Sequence, residues 1–340
     1  MPAEWEKQAA VWLAWPHNLE TWPAKFEKIP ATFAEMTKAL HLHEKVNILV
    51  KDEKMEAEAR RLLESIGALS PNVVFYHIPT DDSWIRDFGP IFVKDEQGQS
   101  VIEDWIFNVW GQRWEKERPL DDIVPTKIAE KDGYPLLKPG IVLEGGSIDV
   151  NGKGTLLTTE SCLLSPTRNP NLNREGIEKY FNEYLGATNV LWLKGGIEGD
   201  DTAGHIDDLA RFVNEDTVMC TVERDKSNGN YQNLKENFDR LEKMKDQNGK
   251  TLNVVAVPMP KPVLGPQGEG YVDEWAPASY ANFLIANEAV LLPVFKDQYD
   301  DEVVQLFEKL FPGRKITALD CRDLVWGLGA IHCCSMQQPE

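Results

Sequence analysis

The feature that most restricts how this chain can fold is a set of five loops that return at similar spacing, at residues 82–90, 144–147, 199–208, 278–282 and 327–334. With Asp87, Glu144, His205, Asn282 and Cys333 as markers, the successive gaps are 57, 61, 77 and 51 residues. Between the loops one order of elements recurs. Apolar runs at 46–50, 73–78, 91–93 and 101–106 predict strands, and Phe33, Met36 and Leu40 recur at helical spacing within 31–43. An amphipathic helix over 54–66 stops near Gly67. The next rounds predict strands at 141–143, 156–159 and 190–193 with a helix over 174–185, then strands at 209–213, 218–221 and 252–257 with a helix over 232–244. The last predicts strands at 290–292 and 316–319, a helix over 301–310 and a C-terminal loop. A strand–strand–helix–strand unit cannot bury its faces alone, so a period near sixty predicts a repeat architecture. Five such units use all 340 residues, which predicts a single domain over 1–340. Segments 114–134 and 258–274 read as insertion-like loops, rich in charge, Pro and Gly, where a lid could form.

Composition narrows the partners. The net charge of −19 comes with no basic stripe, which argues against nucleic acid. An acidic surface attracts a small cation, although such charge more often serves solubility. No apolar run approaches a membrane span, and the first residues lack the pattern of a signal peptide. The five cysteines are odd in number, scattered and without a C-x-x-C pair, which predicts a reducing, cytoplasmic setting. A homo-oligomer is left open.

Four of the loops set an ionisable or nucleophilic side chain beside glycine. Asp87 precedes Gly89-Pro90, Glu144 precedes Gly145-Gly146, His205 follows Gly204 with Asp207 two residues on, and Cys333 follows Gly327 and Gly329. Residues two apart in an extended segment share a face, so His205 and Asp207 point the same way. Each residue has an ordinary structural explanation when taken singly: a turn aspartate, a capping glutamate, a core histidine, a small buried thiol. Together they supply a thiol nucleophile, an imidazole for proton transfer and carboxylates to hold a cation. Asp200, Asp201, His205, Asp207 and Asp208 also make a plausible metal-ligand set. His332 adjoins Cys333, but neighbouring side chains on an extended segment point apart, so it is not assigned as the base. The apolar tail residues Trp326, Leu328, Ile331 and Met336 predict a docked C-terminus.

These residues resemble the agmatine deiminase branch of the bacterial-type peptidyl-arginine deiminase family, within the guanidine-modifying pentein superfamily. The likeness runs through Met1-Pro-Ala-Glu-Trp-Glu6, Trp84-Ile-Arg-Asp-Phe-Gly-Pro90, Phe107-Asn-Val-Trp-Gly111, Leu143-Glu-Gly-Gly-Ser-Ile148, Thr155 to Pro170, Asp200 to Asp208, Ala278-Ser-Tyr-Ala-Asn282 and Ile331-His-Cys333. The resemblance implies an α/β fold, a five-bladed propeller of ββαβ units around a central site. It makes Cys333 the nucleophile, His205 the acid and base, and Glu144, Asp87 and Asp207 the carboxylates around them. It further implies a small cationic guanidine substrate and no metal, phosphate or redox cofactor. Trp84 and Asp200 are the expected contacts to the rest of the substrate, with Asp82 and Asp201 as further acids and Arg86 as a neighbouring cation. Where the family usually has glycine, asparagine, isoleucine and threonine around the nucleophile, this chain has Leu328, Ala330, Cys334 and Ser335, and it has Asp149 where histidine is usual.

The implied reaction is hydrolysis of agmatine to N-carbamoylputrescine and ammonia through a thiouronium on Cys333. Free or peptidyl arginine as substrate, amidino transfer to an amine, a metal-dependent hydrolase built on the 200–208 cluster, and a guanidine-binding protein without catalysis remain the alternatives.

Overall fold

A computed structural model describes residues 1–264 and 275–340. Its elements follow local chemistry. The helix Glu53–Ser65 starts where Asp52 accepts from the Met55 N–H at 2.9 Å, and it buries Ala59 and Leu63. The helix Arg174–Leu185 is capped by Asn173, buries Ile177, Phe181 and Leu185 at four-residue spacing, and ends on left-handed Gly186.

Among the described residues these elements build five sheets of one kind. Strands β1 (Gln8–Ala14), β2 (Lys45–Val50) and β3 (Val73–His77) are parallel neighbours. Strands β4 (Ile91–Lys94) and β5 (Ser100–Glu103) pair antiparallel, and β6 (Leu136–Leu137) joins β5 in parallel after a helical crossover. The same pattern recurs in β7 (Asp149–Val150), β8 (Thr155–Thr159) and β9 (Asn189–Leu193). It recurs again in β10 (Ala210–Asn214), β11 (Thr217–Val222) and β12 (Asn253–Pro258). A short ribbon of β13 (Val263–Leu264) and β14 (Trp275–Ala276) precedes the next round, β15 (Leu284–Ile285), β16 (Ala289–Val294) and β17 (Lys315–Asp320). Parallel strands flanked by helices are covered on both faces, which is why β2 and β16 read as nearly unbroken apolar runs.

The C-terminal stretch departs from the expected loop. It forms β18 (Ser335–Pro339), which lies antiparallel to β1 with Trp12 opposite Met336 and Leu13 opposite Ser335. The last strand therefore supplies the antiparallel partner that the first sheet lacks, and the docked tail is the closure of the ring. Strand β1 itself was not anticipated from the sequence. Two expected strands shrink, because Ile106 and Val142 meet only in an isolated bridge beyond the end of β5. Segment 114–134 is no long loop: it folds into the helices Pro119–Asp122 and Val124–Asp132. Part of the 258–274 segment, residues 265–274, lies outside the described residues. Among the described residues no helix is long and apolar enough to cross a membrane.

The architecture explains the period. Asp87 lies ahead of β4, Glu144 ahead of β7, His205 and Asp207 ahead of β10, Asn282 ahead of β15 and Cys333 ahead of β18. All occupy one place in the unit, the segment that enters its antiparallel pair, and pseudo-symmetry carries that place to the centre of the ring.

Candidate active site

Asp87 sits in the helical turn Ile85–Phe88, all four residues of which are buried. Its Oδ1 accepts from the Gly146 N–H at 3.0 Å and its Oδ2 from the Trp110 indole at 2.8 Å. Gly146 has to be glycine: a Cβ there would lie 2.6 Å from His205 Nδ1 and 2.7 Å from Asp87 Oδ1. Three loops thus close on one point.

Trp110 reaches Asp87 by an unusual route. Val109, Trp110, Gly111 and Gln112 all have φ between 53° and 74°, a left-handed turn in which only the glycine is at ease. Asn108 steadies it by accepting from the Gly111 N–H at 2.8 Å. Nothing in the local preferences of Val, Trp or Gln announces this turn, and sequence reasoning gave the motif no role.

His205 is fully buried, with Nδ1 3.6 Å from Asp87 Oδ1 and 4.0 Å from Asp207 Oδ1, and Nε2 4.0 Å from Glu144 Oε2. Neither ring nitrogen meets a nitrogen or oxygen partner among the described residues. Burial opposes a charged ring, but Asp87, then Cys162 and Glu144, raise His205 well above the ordinary histidine value. These neighbours favour the protonated imidazole. Glu144, expected to orient it, is engaged elsewhere: Arg168 Nε lies 3.0 Å from each of its carboxylate oxygens. Arg168 also donates to the Thr202 carbonyl at 2.6 Å, tying the 144 and 199–208 loops together.

Cys333 Sγ accepts from Asn282 Nδ2 at 3.0 Å and lies 3.7 Å from Asp207 Oδ2. The Asn282 side-chain oxygen takes the N–H groups of His332 and Cys333 at 2.9 and 3.2 Å, so this amide fixes both backbone and sulfur. Burial, then Asp207, Asp208 and Asp87, push the thiol well above its usual pKa. Without a cation beside it, Cys333 is a neutral thiol. Burial likewise raises Asp87, and burial with Asp207 and Asp200 raises Asp208 well above the aspartate range. Asp207 goes the other way: burial is outweighed by the hydrogen bond and charge of His332, and it stays ionised.

A cavity of about 770 Å³ opens onto this centre, with Trp84, Asp87, Trp110 and Cys333 among its lining residues. Trp84 lines its wall. Asp200 does not line the cavity: its Oδ1 accepts from the Thr202 N–H and hydroxyl at 2.7 and 2.5 Å, and Asp201 lines the wall instead. Asp201 accepts from the Trp114 indole at 3.0 Å, and burial beside Asp200 pushes its carboxyl up to about 6. Asp82 is fully buried behind the wall and paired with Arg118. Arg86 serves structure, donating to the His332 carbonyl at 3.3 Å and the Gln337 side chain at 2.5 Å. Asp149, a departure from the family pattern, pairs with buried Arg211 and accepts from the Phe212 N–H, away from the cavity lining.

The 200–208 cluster does not assemble as a metal site. Asp200 turns to Thr202, Asp201 to Trp114, Asp208 to Asn282 and Asp207 to His332. The described residues do bring one other ligand set together, Glu144, Cys162 and His205, with ligand atoms within 4.8 Å of one another. There the Arg168 guanidinium already holds both Glu144 oxygens. The sequence had singled out neither Cys162 nor Arg168, whose link to Glu144 exists only in the folded chain.

Comparison with known proteins agrees with this geometry. The model of the Porphyromonas-type peptidyl-arginine deiminase family matches residues 1–339. The agmatine deiminase of Enterococcus faecalis is 34% identical, with a TM-score of 0.92 over all of this chain and 95% of that one. The C. jejuni agmatine deiminase is 30% identical, with a TM-score of 0.83 over all of this chain and 95% of that one. An amidinotransferase from Microseira wollei, 13% identical with a TM-score of 0.51 over 99% of this chain and 96% of that one, shares the fold alone. With its five ββαβ units, its five converging loops and a family match across nearly every residue, the chain belongs to the Porphyromonas-type peptidyl-arginine deiminase family.

Proposed function

We propose that this protein is a hydrolase that deiminates agmatine, releasing ammonia and leaving N-carbamoylputrescine. The observation that carries the reading is the buried meeting of one thiol, one imidazole and the carboxylates of Asp87 and Asp207, with Cys333 and Asp87 lining the cavity. A guanidinium keeps its charge at any ordinary pH, and its planar nitrogens suit paired carboxylates. Asp207 Oδ1 has no hydrogen-bond partner among the described residues, which leaves its lone pairs for a guanidinium N–H.

The bound cation reverses the electrostatics that keep Cys333 protonated, so the thiol gives its proton to solvent and the thiolate forms in the complex. The thiolate attacks the guanidine carbon, forming a C–S bond. His205, in its protonated form, gives its proton to the departing nitrogen as the C–N bond breaks, and ammonia leaves. The neutral imidazole then takes a proton from water as the water oxygen bonds to the thiouronium carbon. The C–S bond breaks as the hydroxyl proton passes to solvent, returning the thiolate and freeing the neutral ureido product.

Agmatine is favoured over arginine by the wall. Its acids Asp81, Glu117 and Asp201 suit an ammonium and outnumber Lys51, the other wall bases being paired, Lys116 with Glu20 and Arg118 with Asp82. The test measures ammonia and ureido product from agmatine, free arginine and an arginine-containing peptide. The highest specificity constant is expected for agmatine. A preference for either arginine substrate overturns the substrate and spares the chemistry. Release of ammonia from none of them overturns the activity, and amidino transfer to an amine without ammonia makes the protein a transferase.

A further inference from the structure

His332 was set aside as the base, and the N-terminal residues Met1 to Glu6 took no part in the chemistry above, yet the fold joins them beneath the site. Glu4 Oε1 accepts from the Ile285 N–H at 2.7 Å, and its Oε2 accepts from Arg211 Nη2 at 2.7 Å. The same Oε2 lies 2.9 Å from His332 Nε2, a contact between residues 328 apart in sequence. The other ring nitrogen, Nδ1, lies 2.7 Å from Asp207 Oδ2. All three side chains are buried.

Ionised carboxylates only accept, so the arrangement requires both ring nitrogens of His332 to donate. The backbone that carries the ring is fixed, because the His332 N–H is held by the Asn282 side-chain oxygen at 2.9 Å and its carbonyl by Arg86. One oxygen of Asp207 is thereby committed to His332. The other is left unpartnered, 4.0 Å from His205 Nδ1. Asp207 and Asp208 are adjacent acids that compete for one charge in a buried site. The donor on Asp207 favours the charge there, and that charge in turn raises Asp208.

We infer that His332 is a positioning residue, anchored by Glu4, that presents the free oxygen of Asp207 to the guanidinium. The inference rests on the reading of Asp207 as a carboxylate that grips the substrate. It also gives the N-terminal segment a place in the active site rather than at the margin of the fold.

Two substitutions of equal charge separate this role from simple packing. An asparagine amide nitrogen falls near the position of Nδ1, and a glutamine amide nitrogen near that of Nε2. His332→Asn therefore keeps the donor to Asp207, while His332→Gln keeps only the donor to Glu4. The Asn variant is expected within about tenfold of the parent in kcat/KM, and the Gln variant roughly a hundredfold below it, with KM rising as well as kcat falling. Equal losses, or Gln above Asn, overturn the proposal. Asp207→Asn is assayed beside them: near-full activity there overturns the role of Asp207 itself, a different failure. Should either His332 variant not fold, nitrogen NMR of histidine-labelled parent protein decides. Protons on both His332 ring nitrogens at neutral pH support the proposal, and one bare nitrogen overturns it.

Discussion

Glu144 is held by Arg168 and not by His205: its two oxygens lie 3.0 Å from the guanidinium Nε, while the nearest imidazole nitrogen is 4.0 Å away. Both partners are buried, so the pair stands or falls together. Removing one member leaves an uncompensated charge in the interior. Arg168→Met is expected to lower stability by about 3–5 kcal/mol, and the added change Glu144→Gln to recover part of it. Urea denaturation of the two single variants and the double variant measures this. A loss under about 1 kcal/mol in Arg168→Met contradicts the coupling.

Cys333 and Cys334 are adjacent and both buried, but only Cys333 lines the cavity. Cys333→Ser is expected to reduce turnover by roughly ten-thousandfold or more, and Cys334→Ser to leave most of it. Because burial and three aspartates raise the Cys333 thiol, the free protein should react slowly with neutral iodoacetamide near pH 7. The rate should keep climbing as pH rises past the ordinary cysteine value. A cationic haloacetamidine supplies the missing positive charge and should label Cys333 faster at neutral pH, with agmatine protecting it. A labelling rate that is flat across pH 7–9 with the neutral reagent contradicts the raised thiol.

Leu328 occupies a place where the family usually has glycine, and its φ is +73° in the cavity wall. A side chain in that conformation carries a strain of about 1 kcal/mol. The usual order of substitutions should therefore invert: Leu328→Gly is expected to be more stable than Leu328→Ala by about 1 kcal/mol. Thermal melting of the two variants decides this, and Ala above Gly shows that the loop relaxes without glycine.

Glu44 lies far from the chemistry and is buried, which pushes its carboxyl up to about 8. Since the folded value exceeds the unfolded one, its contribution to stability is fully present below about pH 4.5 and is lost as pH rises toward 8. Glu44→Gln removes that loss and should stabilise the protein at neutral pH, by roughly 3 kcal/mol as a ceiling. Denaturation midpoints of parent and variant should converge near pH 4.5 and separate toward pH 8. Parallel pH curves contradict the assignment.

The five-loop period was legible because each loop precedes an apolar strand and carries a residue type that chemistry needs. Asp87, His205, Asp207 and Cys333 could be placed together on that basis, and the structure does bring them together. What stayed hidden depends on contacts between distant segments. Arg168 gains meaning only when its loop meets Glu144, and Glu4 only when the N-terminus passes beneath His332. The left-handed turn at Val109 to Gln112 runs against the preferences of the residues that form it, so only tertiary context could hold it there. Asp200 and Asp201 are indistinguishable in sequence, and a single backbone turn onto Thr202 decides which of them reaches the cavity.

The pairing of β18 with β1 also governs timing. Cys333 sits just ahead of the strand that completes the first sheet, so its surroundings wait on residues 335–339. During synthesis a nascent chain exposes Asp87, Glu144 and His205 long before a thiol arrives to work beside them. Contacts between segments this far apart are the slowest to form, because the whole intervening chain must first be drawn in. Catalysis thus waits until residues 335–339 have been made and have paired with β1, and a nascent chain that lacks them carries no assembled nucleophile.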